Sequence, residues 1–250
     1  MTPGVGPYVS RSTHMRVRHF GRILGAAAVT AWAALVGVAA PSASAQACPD
    51  VEVVFARGTG EAVGVGGVGQ SFVDALRAQA GPRTVNVYAV NYAASNNFDA
   101  RDELARTVVE GIRDAGNRVQ TIATTCPNTR IVLGGFSQGA VVAGFVTSST
   151  VPDAVPAAYR DSVPQPLAAE VAEHVAAVTL FGLPSPQWLG TYGAPPVVIG
   201  PLYAPKTLQL CAEGDTICNG APGGQPSIAH ALYGINGMTQ QAATYAVDRL

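Results

Sequence analysis

The stretch Arg130-Ile131-Val132-Leu133-Gly134-Gly135-Phe136-Ser137-Gln138-Gly139-Ala140-Val141-Val142-Ala143 decides how the chain folds. An apolar run suited to a buried strand leads straight into G-x-S-x-G, and an apolar helical pattern from Gln138 to Thr147 follows. A strand, a sharp turn and a helix in that order form the setting of a nucleophile elbow. The serine sits on a strained turn and its hydroxyl stands above the sheet. Glycines two residues to either side let strand and helix approach without side-chain clashes. The helix N-terminus also aims free N–H groups at the same spot. The plainer alternative is a glycine-rich βα turn with a serine N-cap. A bare G-x-S-x-G arises often by chance, so the strand–turn–helix context is what favours the elbow.

Working outward, short apolar or β-branched runs alternate with helical patterns. The strands are Val51 to Ala56, Thr84 to Val90, Arg130 to Gly135, Val175 to Phe181 and Thr207 to Cys211. The helical patterns cover Gln70 to Gln79, Phe98 to Thr124, Gln138 to Thr147, Leu167 to Glu173 and Met238 to Arg249. Gly58 to Gly69 reads as a glycine-rich loop, and proline-rich Pro184 to Pro205 as another. The alternation predicts an α/β fold, a parallel sheet covered on both faces. No internal repeat or second-domain boundary is evident.

Composition excludes several classes. Of the 250 residues, 48% are hydrophobic and 12% charged, which is no disordered chain. A formal net charge of -1 gives no field for a polyanion, so nucleic acid is not an expected partner. The N-terminus reads as an export signal over residues 1–47. Arg11, Arg16, Arg18 and Arg22 precede an uncharged run from Ile23 to Ala40. Ala43-Ser44-Ala45 and Ala45-Gln46-Ala47 then offer A-x-A cleavage sites, with Met1 or Met15 as the start. The alternative is an uncleaved anchor, since the run is nearly long enough to span a bilayer. Residues 48–250 are expected to form the exported domain, secreted, monomeric and without stable membrane insertion.

Four cysteines, Cys48, Cys126, Cys211 and Cys218, all follow the cleavage sites, which argues for disulfides. Three pairings are open; Cys211 with Cys218 is the local choice and leaves Cys48 with Cys126. In the chain-entropy model these would contribute about 2.5 and about 4.5 kcal/mol. A zinc site is disfavoured, because neither pair has C-x₂₋₄-C spacing and only two histidines remain beyond the leader.

A serine hydroxyl needs a base. His14 and His19 fall in the leader. His174 precedes a strand, and ligands of α/β sheets bind at the opposite, carboxyl edge. His230, in the segment after Gly220, is the remaining base. Asp215 lies between Cys211 and Cys218, just past the fifth strand, where a disulfide would pin its loop. Glu213 is the alternative acid. The order Ser137, Asp215, His230 is that of α/β-hydrolases. Oxyanion donors are expected from the backbone N–H of Gln138 and from Thr59, in the loop after the first strand. An apolar groove is expected between the Leu183 to Tyr203 loop and the segment holding Ile228, Leu232 and Tyr233. Gly64-Val65-Gly66-Gly67-Val68-Gly69 matches G-x-G-x-x-G, but the next strand ends in Val90-Asn91-Tyr92 without the acid a dinucleotide site requires. No cofactor or metal is expected.

Together, Phe55-Ala56-Arg57-Gly58-Thr59-Gly60-Glu61, Gly135-Phe136-Ser137-Gln138-Gly139, Gly214-Asp215 enclosed by Cys211 and Cys218, and His230 resemble the cutinase family, in particular its actinobacterial cutinase-like members. The resemblance runs from about Cys48 to the end. It implies a compact α/β-hydrolase three-layer sandwich on a five-stranded parallel sheet, with Cys48 bonded to Cys126 and Cys211 to Cys218. It implies a Ser137, Asp215 and His230 triad with Thr59 and Gln138 as oxyanion donors. It also implies a serine esterase acting on cutin, short-to-medium-chain esters or lipids. Phe136 stands where Tyr is common in the family, and Thr59 where fungal members carry Ser. An acyltransferase or phospholipase on the same site, or a non-catalytic lipid-binding protein, are the alternatives.

Overall fold

The computed structural model describes residues 47–153, 155, 160–221 and 225–250. The predicted leader thus lies outside the described residues, save for Ala47. Five strands, β1 (Val51–Ala56), β2 (Val85–Ala89), β3 (Arg130–Phe136), β4 (Val175–Phe181) and β5 (Thr207–Leu210), form one sheet in the order β2-β1-β3-β4-β5. Every pairing is parallel. Among the described residues, seven α-helices accompany them: α1 (Gly66–Gln79), α2 (Arg101–Thr125), α3 (Gln138–Val146), α4 (Ala169–His174), α5 (Pro186–Thr191), α6 (Ile228–Ala231) and α7 (Met238–Val247).

The sheet is apolar on both faces, and its period of two sorts the strand residues between two cores. On β1, Val54 and Ala56 join the core beneath α2 and α3, whereas Val51, Val53 and Phe55 join the one beneath α1 and α7. Glu52 shares the first face and is fully buried. Its carboxylate is held by the Arg118 guanidinium and by the Asn86 amide at 2.7 Å, so the buried charge is paired and hydrogen-bonded.

The chain steps from β1 to β2 on one side, then returns to add β3 on the other side of β1. Strand order therefore reverses between β1 and β3. That crevice, at the carboxyl ends of the strands, is where open α/β sheets place ligands. Register aligns the two strand ends, with Ala56 opposite Gly135. The loop after β1 and the turn after β3 consequently emerge side by side.

Three elements differ from the sequence reading. The segment after Gly220, read as loop, holds the short helix α6 that carries His230. Helix α1 begins at Gly66, not Gln70, because a side chain outside the helix supplies what its glycines lack: Glu61 accepts a hydrogen bond from the Gly67 N–H at 2.7 Å. Within the proline-rich stretch, Ser185 caps a short helix by accepting from the Trp188 N–H, with Pro186 in its first turn.

Cys48 is bonded to Cys126 and Cys211 to Cys218, and no free cysteine remains among the described residues. No helix among them is long and apolar enough to cross a membrane.

The turn at the end of β3 tolerates no added carbon. A Cβ on Gly139 would lie 2.0 Å from the Ala56 carbonyl oxygen, and one on Gly135 would lie 2.1 Å from that of Gly139. Gly139→Ala is expected to cost about 3 kcal/mol through backbone displacement, measured as a lower midpoint in urea unfolding. An unchanged midpoint would show that the turn can relax.

Candidate active site

Ser137 follows β3 and carries φ 53° and ψ -117°, a strained conformation for a residue with a side chain. Its N–H donates to the Phe181 carbonyl of β4 at 2.9 Å, so the sheet itself holds the turn. Although Ser137 occupies the N-cap of α3, its hydroxyl caps nothing. Instead it lies 2.9 Å from Nε2 of His230.

His230 sits on α6, its side chain 12% exposed. Room for the ring comes from Gly182 (φ 56°) at the end of β4, where a Cβ would lie 3.0 Å from the imidazole. Phe136 packs beside it, ring centroids 5.0 Å apart. On the far side, Nδ1 lies 2.8 Å from Oδ2 of Asp215. An ionised carboxylate can only accept, so Nδ1 carries the hydrogen of the neutral ring. Nε2 is then left to accept from Ser137.

Asp215 is fully buried. The Cys211–Cys218 bond closes its loop, and its own N–H donates to the Ala212 carbonyl. Its oxygens accept from His230, from the Tyr233 hydroxyl at 2.6 Å and from the Ile217 N–H at 2.9 Å. Burial alone would raise its pKa. Hydrogen bonds from His230, Tyr233 and Ile217 outweigh that penalty and hold the carboxyl below its usual range. Burial, then the bond to Asp215, pushes the Tyr233 phenol up, so it stays a donor. Tyr233 also accepts from the Ala212 N–H at 2.9 Å.

Thr59 and Gln138 line one groove together with Ser137. The Gln138 amide donates to the Ser95 carbonyl at 3.1 Å. The loop bearing Thr59 is fixed from several directions. Glu61 accepts from the Gly58 N–H at 2.6 Å, and the Gly60 N–H donates to Ala94, itself at φ 49°. Arg57 donates to the carbonyls of Glu61, Tyr92 and Ala93.

The structure thus brings Ser137, His230 and Asp215 into one hydrogen-bonded line, with Thr59 and Gln138 at its mouth. His174 ends α4 at the opposite edge of the sheet, and Glu213 makes no part of the line. Glu61, Phe136 and Tyr233 were not singled out as supports in the sequence. The spacing from Arg57 to Glu61 was the available sign for the first, but nothing local marks an aromatic side chain as a partner of a distant aspartate. The expected groove needs correction. Its Pro184 to Pro195 side is present, yet the facing walls are α2 and α3. Tyr233 is completely buried, because its hydroxyl is committed to Asp215 and Ala212. Among the described residues, the one group of three side chains close enough to hold a metal is Cys211, Asp215 and Cys218, and its two sulfurs are spent in a disulfide.

The cutinase family profile matches residues 47–250. The chain belongs to the cutinase family. Membership makes it a serine ester hydrolase with the compact α/β-hydrolase fold. This cutinase-family chain is 59% identical over 172 residues to the probable carboxylesterase Culp7 of Mycobacterium tuberculosis, an alignment covering 69% of this chain and 88% of that protein. It is 39% identical over 250 residues to the phospholipase Culp4 of the same organism, covering 100% of both. Among solved structures it resembles a Trichoderma reesei cutinase bound to a phosphonate inhibitor, with TM-score 0.59 and 31% identity over 80% of this chain and 76% of the other.

Two outcomes are expected at this site. Tyr233→Phe leaves the buried Ala212 N–H unpaired and removes a donor from Asp215, costing about 1–3 kcal/mol, read from urea unfolding. Ester turnover should fall with it through kcat more than KM. Because the Asp215 pKa is depressed on folding, its contribution is present in full above about pH 4, the unfolded value, and is lost as pH falls through the lower folded value. The Tm gap between the parent protein and Asp215→Asn should stay level from neutral pH down to about 5 and narrow only in stronger acid. A gap that closes near neutrality would contradict the depressed value.

Proposed function

We propose that the chain is an exported carboxylic ester hydrolase in which Ser137 is the nucleophile, His230 the general base and Asp215 the acid that orients it. The observation carrying this is the continuous line from the Ser137 hydroxyl through both imidazole nitrogens to a buried carboxylate. In this reading, Nε2 takes the hydroxyl proton as Oγ attacks the ester carbonyl. Asp215 steadies the imidazolium that forms. The oxyanion is held by the Gln138 N–H and by Thr59. Collapse of the tetrahedral intermediate breaks the bond to the alcohol oxygen, which takes the proton from His230. Water, deprotonated by the same nitrogen, then attacks the acyl-enzyme and releases the acid.

Residues 1–47 are proposed as the leader, cleaved near Ala45 or Ala47, with two disulfides suited to an oxidising location. N-terminal sequencing of the exported protein would locate the cut. Carboxylic esters of glycerophospholipids are a second substrate class, favoured by the phospholipase name of a relative that aligns over the full length.

A fluorophosphonate should label the folded protein on Ser137, as read by peptide mass. Ser137→Ala should lose the label and about 10⁴-fold or more of kcat on a p-nitrophenyl ester. Labelling elsewhere, or turnover that survives the substitution, would overturn the assignment.

A further inference from the structure

Among the described residues, two that carry a side chain stand at positive φ. One is Ser137; the other is Ala94, at φ 49° and buried, in the segment between β2 and α2. Strain of this kind persists only where the surroundings over-determine it. Here they do so through four consecutive carbonyls, Tyr92 to Ser95, each of which accepts a hydrogen bond. The Arg57 guanidinium donates to the first two at 2.7 and 3.1 Å. The Gly60 N–H donates to the third at 2.8 Å, and the Gln138 side-chain amide to the fourth at 3.1 Å. Arg57 and Gly60 bracket Thr59, while Gln138 carries the other proposed oxyanion donor on its backbone. One short segment therefore grips both halves of the oxyanion site. It is pinned in turn to the first turn of α2, where Glu103 accepts from the Ser95 hydroxyl at 2.7 Å and from the Asn97 amide at 3.0 Å.

We infer that the Gln138 side chain is a positioning group: by holding the Ser95 carbonyl it sets the spacing between its own backbone N–H and Thr59, and so the fit of that pair to the developing oxyanion. The inference rests on the oxyanion roles proposed above. One observation separates it from ordinary packing. Gln138 is 6% exposed, and its Oε1 has no hydrogen-bond partner among the described residues. A buried acceptor left unpaired costs stability. For packing alone, methionine would serve as well: it is about as long and leaves no amide oxygen unpaired. What the amide adds is its N–H arm, and that arm ends on Ser95. Spacing matters because the donors must meet the oxygen where its charge develops. A misplacement of about 1 Å at such a site can cost about 100-fold in rate. The proposed donor is a main-chain atom, so a side-chain substitution moves it without removing it.

The experiment compares the parent protein with Gln138→Met and Glu103→Gln in three measurements: turnover of p-nitrophenyl butyrate, inhibition by a trifluoromethyl ketone, and urea unfolding. The ketone reports on the oxyanion directly. Ser137 Oγ adds to its carbonyl, the hydroxyl proton passes to Nε2 of His230, and the former carbonyl oxygen is left as an anion. Gln138→Met should keep the parent's urea midpoint and KM, lose about 10- to 100-fold in kcat, and bind the ketone more weakly by a similar factor. Glu103→Gln lies outside the site and loosens the same segment from α2. It should lose several-fold in kcat and in ketone affinity together, and it carries the test alone should the first variant fail to fold. Parent values of kcat and ketone affinity in the folded variants would overturn the inference. So would a loss confined to KM, or one that follows a lowered urea midpoint. The proposed oxyanion roles would stand in each of those cases. A parent protein that turns over the ester yet gains nothing from the ketone over the matching methyl ketone would overturn those roles and the inference with them.

Discussion

The structure depends on one strained residue. Ser137 is held at positive φ, which costs on the order of 1–3 kcal/mol for a residue with a side chain. It persists because everything around the turn requires it. The Phe181 carbonyl takes its N–H, β3 fixes its entry, and α3 can leave the turn only by passing within contact distance of β1. Gly139 makes that passage possible, since any side chain would meet the backbone of Ala56 and Arg57. Relaxing the serine would mean lifting a buried helix off the centre of the sheet. The strain is therefore carried by the core, and it frees the hydroxyl from the capping role that a serine at a helix start ordinarily takes.

The electrostatic side is settled in the same way. A carboxylate with no exposure would tend to take up a proton. Three donors prevent this at Asp215: the imidazole on α6 and the phenol of Tyr233, three residues apart in one segment, and the N–H of Ile217 in the acid's own loop. The short disulfide closes the loop that carries the acid, and the buried tyrosine ties that loop to the segment carrying His230. On the opposite side of the serine, Glu61 performs a comparable service for the loop of Thr59. One carboxylate there satisfies both that loop and the first turn of α1.

Sequence and structure diverge at particular elements, each for its own physical reason. The glycine-rich stretch from Gly64 to Gly69 looks unfit to start a helix, yet α1 starts inside it because Glu61 supplies a cap from outside. The helix Pro186–Thr191 carried a readable sign, Ser185 followed by Pro186, which the abundance of nearby prolines obscured. Tyr233 looked like a groove residue because it lies beside exposed Ile228, Leu232 and Ile235. Its burial follows from a hydrogen bond to a residue eighteen positions away, which no local pattern encodes.

The sequence by itself determined the strand–turn–helix around Ser137, the alternation that makes a parallel sheet, and the short set of candidates for nucleophile, base, acid and disulfide partners. These are local facts: periodicity, glycine spacing and elimination among few residues of the right type. Only the tertiary structure decided that strand order reverses between β1 and β3, which places the loop of Thr59 beside the turn of Ser137. It alone decided which face of α2 meets which face of α3, and so where a groove leaves the serine. Such relations are set by packing between segments far apart in the chain, and the apolar pattern of one segment does not name its partner.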